Sequence, residues 1–516
     1  MNVAALLDAA ALVRPDHDAI VHEGKRSSYR ALAQLAARIA GGLAAEGVGP
    51  GSRVALCCTN RPGFVAAYFG ILKTGACVVL LATNLRETDL AEQLRAARVD
   101  ALLVYDGLAE EASLAQWAAP NCRRLWLIPR DPLAVAGEGP ALCDLMRGQR
   151  DAFPTVERPP DATAAILFTS GTTGKPSGVE LSHANLLAMT TINRFMAAPE
   201  VEPRRLVANA LYHIMGLMAG LHVTVLAAST MVLVEGFDPQ RIWRVAAEQR
   251  ITFMGFMPAH YRDLLDAADS VDVHAVAAHV RLCATGGGPL NPALAEAWEA
   301  RVGCPLTPGY GMTETTSLIT WHPPAAPIRA GSVGCRVPGI ALKLIDRDWN
   351  EVPAGEAGEI AVRSPGVMTG YLDEPERNAE TMKNGWFRTS DLGHIDAAGY
   401  VFLDARLDGK VIQGHEHIYP SEVRRVLSRH PAIGDCAFLA GEHLSLGEEL
   451  VVVVEPKVGV EEPSAEAVKR WLEAEMPEGK CPGRVVMASR LPRTAIGKID
   501  ISSLKQYAEL DGLHEA

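Results

Sequence analysis

Thr169-Ser170-Gly171-Thr172-Thr173-Gly174-Lys175-Pro176-Ser177-Gly178-Val179-Glu180 follows directly on the apolar run Ala164 to Phe168 and crowds hydroxyls, glycines and a lysine into one turn. Glycines let the backbone close around an anion and aim several N–H groups at it, while Ser and Thr add hydroxyl donors and Lys175 adds charge. The stretch reads as a phosphate-holding loop at the end of a strand. It is not a Walker A loop, which sets four residues between its glycines and a Ser or Thr after its lysine. Here only Thr172 and Thr173 separate Gly171 from Gly174, and Pro176 follows Lys175.

Around this loop the chain alternates. Ser28-Tyr29-Arg30-Ala31-Leu32 opens an Ala/Leu-rich helix that stops at Gly47-Val48-Gly49-Pro50-Gly51. Arg53 to Cys58 reads as a buried strand, Phe64 to Lys73 as helix, Ala76 to Leu81 and Ala101 to Tyr105 as strands, a rhythm that predicts a layered α/β body with parallel strands. Between Gly331 and Val362 the pattern changes to short strands, such as Ala341 to Ile345 and Glu359 to Val362, punctuated by Gly, Pro and Asp. From Arg406 onward come a helix near Tyr419-Pro420-Ser421-Glu422, a strand at Leu450 to Val454 and a closing segment to Lys498. The expected architecture is a large multi-layer N-terminal domain, 1–407, with a β-rich subdomain at about 325–405, and a small α+β C-terminal domain, 408–516.

Composition narrows the function classes. The 516 residues are 48% hydrophobic and 21% charged, ordinary globular material. The 49 Lys plus Arg against 61 Asp plus Glu give a net charge of −12, which argues against a general nucleic-acid surface. Any anion must be held locally. The ten cysteines show no C-x-x-C spacing, and adjacent Cys57-Cys58 cannot form an ordinary structural bridge, so reduced thiols and a cytoplasmic protein are expected. No signal peptide is read at the N-terminus, and Gly216 to Val234 reads as a buried helix followed by the strand Met231 to Val234, not as a membrane span. His415-Glu416-His417 lacks a third ligand and reads as a solvent-side loop, not a metal site.

Further motifs follow the loop in order. They are Leu211-Tyr212-His213-Ile214-Met215-Gly216, Gly286-Gly287-Gly288-Pro289-Leu290, Tyr310-Gly311-Met312-Thr313-Glu314 and Gly331-Ser332-Val333-Gly334. Then come Gly385-Trp386-Phe387-Arg388-Thr389-Ser390-Asp391-Leu392-Gly393, Ala405-Arg406-Leu407-Asp408, Gly414, and Leu491-Pro492-Arg493-Thr494-Ala495-Ile496-Gly497-Lys498. In this order the chain resembles the acyl-adenylate-forming superfamily over nearly its whole length, and within it the acid:CoA ligases.

The resemblance implies ATP, AMP, Mg²⁺ and coenzyme A as ligands, and a C-terminal domain that swings about Asp408 between two catalytic poses. It implies that Thr169, Ser170, Gly171, Thr172, Thr173, Gly174 and Lys175 hold the β and γ phosphates, that Thr313 contacts the α-phosphate and that Glu314 binds Mg²⁺. Asp391, with Arg406, would meet the ribose, while Gly286, Gly287, Gly288 and Pro289 with Tyr310, Gly311 and Met312 would enclose adenine. Lys498 would bridge the acid and the α-phosphate in one pose only, and Gly414 would border the pantetheine tunnel. The acid itself would sit beside Tyr212 and His213, in a pocket of Met254, Phe256, Met257, Gly288, Gly311, Met312 and Leu318. No acidic residue stands at Tyr212-His213, so an amino-acid substrate, whose ammonium would be buried unpaired, is disfavoured. A bulky hydrophobic or alicyclic acid is expected.

Four positions depart from the family pattern. Ser177 stands for the lysine usual after Pro176, Gly409 for a second acid after the hinge, Ala405 for the glycine before Arg406, and Ile501 for an arginine after the final lysine. The first removes a cation near pyrophosphate. Two alternatives therefore stand beside the complete CoA ligase: an enzyme that takes a preformed acyl-adenylate to its thioester, and a ligase loading an acyl carrier protein. A non-catalytic adenylate-binding relative is a third. The oligomeric state is left open.

Overall fold

The computed structural model describes residues 1–117, 119–132, 140–170, 176–196, 203–288, 290–323, 327–406, 411–413, 416–418, 420–443, 447–476, 480–493, 499–500 and 503–504. The chain divides into two compact units, Met1–Ala341 with Val362–Phe387, and Leu342–Ala361 with Arg388–Ala516. The boundary expected at 407 falls within the second unit.

The first unit contains two sheets. In spatial order, one runs Gly370–Tyr371, Pro176–Ser182, Thr163–Ser170, Cys77–Leu80, Arg53–Cys57, Ala101–Tyr105, Arg124–Ile128. Its last five strands are parallel, and helices packed against such a sheet bury both its faces, which is why the runs are apolar almost throughout. Pro176–Ser182 turns back antiparallel on Thr163–Ser170, with Thr169 opposite Ser177 and Ser170 opposite Pro176. Residues 171–175, which join these two strands in sequence, lie outside those described. Helix Tyr29–Ala45 begins where Ser28 Oγ accepts a hydrogen bond from Ala31 N at 3.2 Å, the cap that Ser28 predicts.

The other sheet of this unit joins Ser332–Arg336, Ser317–Trp321, Leu306–Met312, Leu282–Thr285, Phe253–Phe256, Arg204–Val207, Thr230–Leu233, Asp18–His22 and Lys25–Ser28. The six strands from Leu306–Met312 to Asp18–His22 are parallel. The segment expected as helix then strand begins as a π-helix, Gly216–His222, continues as the α-helix Val223–Leu226 and reaches the strand at Thr230. Among the described residues no helix is long and apolar enough to cross a membrane. All ten cysteines are unbridged.

In the second unit, Ala341–Ile345, Gly358–Arg363, Trp386–Ile395 and Tyr400–Arg406 lie side by side. A second sheet orders Glu416–Ile418, Val411–Gln413, Gly447–Pro456 and Ile433–His443, with Arg484–Met487 parallel to Gly447–Pro456. Strand residues alternate in direction, so Leu450, Val452 and Val454 enter one apolar cluster with Val423, Leu427 and Leu472. Val451 and Val453 enter another with Leu439, Val486 and Leu491. This strand is apolar throughout because both of its faces are covered. Glu416–Ile418 is an edge strand where a loop was expected: Val411 pairs with Ile418 across the hairpin.

Candidate functional site

Parallel sheets expose their ligand sites at the carboxyl ends of the strands. In the first unit this rule gathers motifs that lie far apart in sequence. Asn209 to His213 follow Arg204–Val207, Met257 follows Phe253–Phe256, Gly286 to Gly288 follow Leu282–Thr285, and Thr313-Glu314 follow Leu306–Met312. Buried Asn60 fixes the first of these segments: its Oδ1 accepts from Leu211 N at 3.0 Å and its Nδ2 donates to Asn209 O at 2.9 Å. His213 comes next, half-buried, its Nδ1 accepting from Met215 N at 3.4 Å. Burial raises the hydroxyl pKa of neighbouring Tyr212 above its ordinary value.

Met257 and Met215 bring thioether ends to the glycine run. A Cβ placed on Gly287, whose φ is +76°, would lie 3.7 Å from Met257 Cε, and one on Gly286 would lie 4.0 Å from Met215 Cε. On Gly288 it would meet nothing nearer than Pro258 Cδ at 3.9 Å, so this floor is open. Met254 and Phe256 were expected in the same pocket. Alternation along Phe253–Phe256 sends them instead into the core with Trp243, Tyr261 and Trp298. Gly311 serves the hairpin itself: a Cβ there would come within 1.9 Å of Ser317 O, closing the approach of Ser317–Trp321. Leu318 pairs with Gly311 across this hairpin.

Thr313 and Glu314 occupy a tight 3₁₀ turn and are both buried, at 7% exposure. Tyr371 OH donates to Glu314 Oε1 at 3.2 Å. Burial, with the Glu314 carboxylate beside it, holds the Tyr371 hydroxyl pKa well above the usual tyrosine range, so it remains a donor. The Arg377 guanidinium carbon lies 3.6 Å from the centre of the Tyr371 ring. From there Arg377 Nη1 donates to buried Ser177 Oγ at 2.6 Å and to Glu374 Oε2 at 3.1 Å. The sequence motifs did not single out Tyr371 or Arg377.

In the second unit Asp391 is buried, and the strand register sets it opposite Arg406. The preceding Ser390 has φ +62°, a left-handed conformation that few non-glycine residues adopt. Buried Glu359 stabilises it: Oε1 accepts from Ser390 N at 3.0 Å, and Oε2 accepts from Arg388 Nη2 at 2.5 Å and Nε at 3.0 Å. Thr389 Oγ1 accepts from Asp391 N at 3.2 Å and donates to Ile360 O at 2.9 Å. Gly414, Asp408 and Lys498 lie outside the described residues, as does Pro289 in the first unit. The stem of the Lys498 segment is described: Leu491 N donates to Glu455 Oε2 at 2.7 Å, Arg493 Nη2 to Asp435 Oδ2 at 2.5 Å, and Arg493 pairs with Ile499.

Residues 7–372 match the family described as AMP-binding enzyme, and residues 422–498 match the AMP-binding enzyme C-terminal domain. The chain belongs to the AMP-binding enzyme family. Among relatives, it is 32% identical over 524 residues to an indoleacetate–CoA ligase of Aromatoleum aromaticum, 98% of each chain being covered. It is 31% identical over 493 residues to a feruloyl-CoA synthase of an Amycolatopsis species, 95% of each being covered. Its fold matches ATP-bound MatB from Rhodopseudomonas palustris with a TM-score of 0.88 and 29% identity, covering 98% of this chain and 99% of that one.

This AMP-binding enzyme is an AMP-forming acid–thiol ligase: ATP activates a carboxylic acid as its adenylate, and coenzyme A receives the acyl group. The residues present fit the Mg²⁺ such chemistry uses. Glu314 is a buried carboxylate with one oxygen bonded to Tyr371, and its Oε2 makes no hydrogen bond among the described residues. A hard cation that takes one or two carboxylates and completes its shell with phosphate oxygens and water suits that donor. When bound it would neutralise phosphate charge, and Tyr371 would fix the carboxylate that holds it.

Proposed function

We propose that this enzyme activates a bulky hydrophobic acid, aryl or alicyclic, and transfers it to coenzyme A. The observation that carries the substrate class is the open glycine floor at Gly287 and Gly288, flanked by the thioether end of Met257, with that of Met215 beside Gly286. Flat apolar surface and polarizable sulfur suit a ring, and the absence of an acid at Tyr212-His213 leaves nothing to pair an α-ammonium. The two relatives above are named for aryl acids, which supports the same class.

In this reading the residues 169–175, with Thr313, hold the phosphates, Asp391 and Arg406 the ribose, and Tyr310 the adenine. His213 stands beside the carboxylate. Lys498 bridges carboxylate and α-phosphate in the adenylating pose, and the C-terminal domain, 408–516, then turns about Asp408 to admit the pantetheine arm past Gly414. Unbridged cysteines throughout the chain support a cytoplasmic location.

The test narrows the floor. Gly288→Leu fills space where a Cβ meets only Pro258 Cδ at 3.9 Å. We expect kcat/KM for a bulky aryl acid to fall at least about tenfold relative to acetate, the discrimination typical of filling an apolar pocket by a methylene or more. An unchanged ratio contradicts the assignment. Comparing coenzyme A with holo acyl carrier protein as acceptor, in the same assay, decides between the two bearers of the pantetheine thiol.

A further inference from the structure

Ser177 stands where the family resemblance implies a lysine, and a cation from elsewhere in the chain is hydrogen-bonded to it. Arg377, on the short helix Pro375–Thr381, reaches Ser177 Oγ with Nη1 at 2.6 Å. Ser177 is 4% exposed and lies opposite Thr169 in the antiparallel pair Thr163–Ser170 and Pro176–Ser182. The guanidinium is oriented by three contacts: Ser177, Glu374 at 3.1 Å and the face of Tyr371. A guanidinium carries five N–H donors. Both hydrogen bonds use Nη1, and among the described residues Nε and Nη2 make none, which leaves their N–H groups for an anion.

We propose that Arg377 is a catalytic residue of adenylate formation that supplies, in place of a lysine at position 177, the positive charge facing the β and γ phosphates. In that step a carboxylate oxygen of the acid attacks the α-phosphorus. The α–β phosphoanhydride bond breaks, and its electron pair leaves on pyrophosphate, whose growing charge Arg377 opposes. Arginine suits this place better than lysine, because its planar fork holds Ser177 with one edge and presents another to a phosphate. The same side chain, stacked on Tyr371, links the phosphate end of the site to the carboxylate of Glu314. A serine at 177 is then a complement to Arg377: a lysine there would set two cations side by side.

This inference rests on the reading of the protein as an acid-activating ligase, and its test separates the two. ATP, AMP and inorganic pyrophosphate are titrated by calorimetry against the wild type, Arg377→Gln, Arg377→Ala, Ser177→Lys and the double variant Ser177→Lys/Arg377→Ala. Loss of a charge-assisted contact weakens ATP and pyrophosphate at least about tenfold in both Arg377 variants, with AMP changed less than about twofold. Ser177→Lys alone gives no gain, and in the double variant it restores ATP affinity. Unchanged ATP affinity overturns the proposal, as does equal weakening of ATP and AMP, the mark of a merely structural arginine. If the wild type forms no adenylate with any acid of a broad panel, the ligase reading falls, while the ATP and AMP comparison still decides what Arg377 contacts.

Discussion

Glu359 belongs to no motif that the sequence singles out, yet it holds the Arg388 to Asp391 stretch of its strand in a conformation that Ser390 would otherwise avoid. Its carboxylate accepts from Ser390 N and from two nitrogens of Arg388, and it is 3% exposed. Glu359→Gln keeps the shape and removes the charge. Hydrogen bonds to charged groups contribute about 1.5–3 kcal/mol each, so we expect a loss of that order in chemical denaturation. The looser Asp391 raises the KM for ATP by about tenfold. A variant with wild-type stability and KM would show that the Ser390 backbone holds without it. Asp391 and Glu314 are named by the sequence because a motif surrounds each of them. Tyr371, Arg377, Asn60 and Glu359 are not, because each acts through a partner brought close only by folding: Arg377 and Ser177 are 200 positions apart.

At the scale of elements, the strands read most clearly from sequence, since runs such as Arg53–Cys57 and Ala101–Tyr105 are apolar enough to be buried on both faces. The same uniform apolarity hid which side chain faces the site: nothing in Met254, Phe256 and Met257 distinguishes core from pocket until the strand end is fixed. Two histidines held in helices lead to a measurable consequence. His222, in the π-helix, has Nε2 2.7 Å from Tyr68 Oη and Nδ1 3.1 Å from Thr190 Oγ1, and burial pushes its pKa down to about 3. His183 accepts from Val3 N at 3.1 Å, and burial lowers it to about 4.

Both folded values lie below the unfolded one of about 6.5, so below that pH the unfolded chain takes up protons that the folded chain refuses. Their contribution is fully present above pH 6.5 and declines as pH falls, by about 1.4 kcal/mol per pH unit for each histidine, until the folded value is reached. Stability measured by urea denaturation should therefore fall between pH 6.5 and 4, and His222→Asn should flatten that slope by about half of the histidine contribution. A slope identical in the variant would contradict the assignment.

At the scale of the whole molecule, the family and the order of its motifs were legible because phosphate-holding loops, glycine runs and strand-end acids are local in sequence. The division into units was less so. Sequence pattern groups 325–405 with the large domain, whereas Leu342–Ala361 and Arg388–Ala516 form one compact unit. The composition shift near Gly331 marks where strands shorten, not which neighbours they join. The mobile-domain mechanism proposed above turns on Lys498, and the described residues that precede it in sequence, Leu491 and Arg493, are tied down by Glu455 and Asp435.

The central claim is a two-step ligase whose steps use different residues, and the direct measurement assays them apart in wild type and Lys498→Ala. Acid plus ATP is followed by pyrophosphate release, and synthetic acyl-AMP plus coenzyme A by thioester formation. The account predicts both steps in the wild type, with adenylate formation in Lys498→Ala falling by at least about a thousandfold, about 4 kcal/mol of transition-state stabilisation, and thioester formation within about threefold of wild type. Equal loss of both steps in Lys498→Ala, or a wild type that forms thioester from acyl-AMP but no adenylate from any acid, would contradict it.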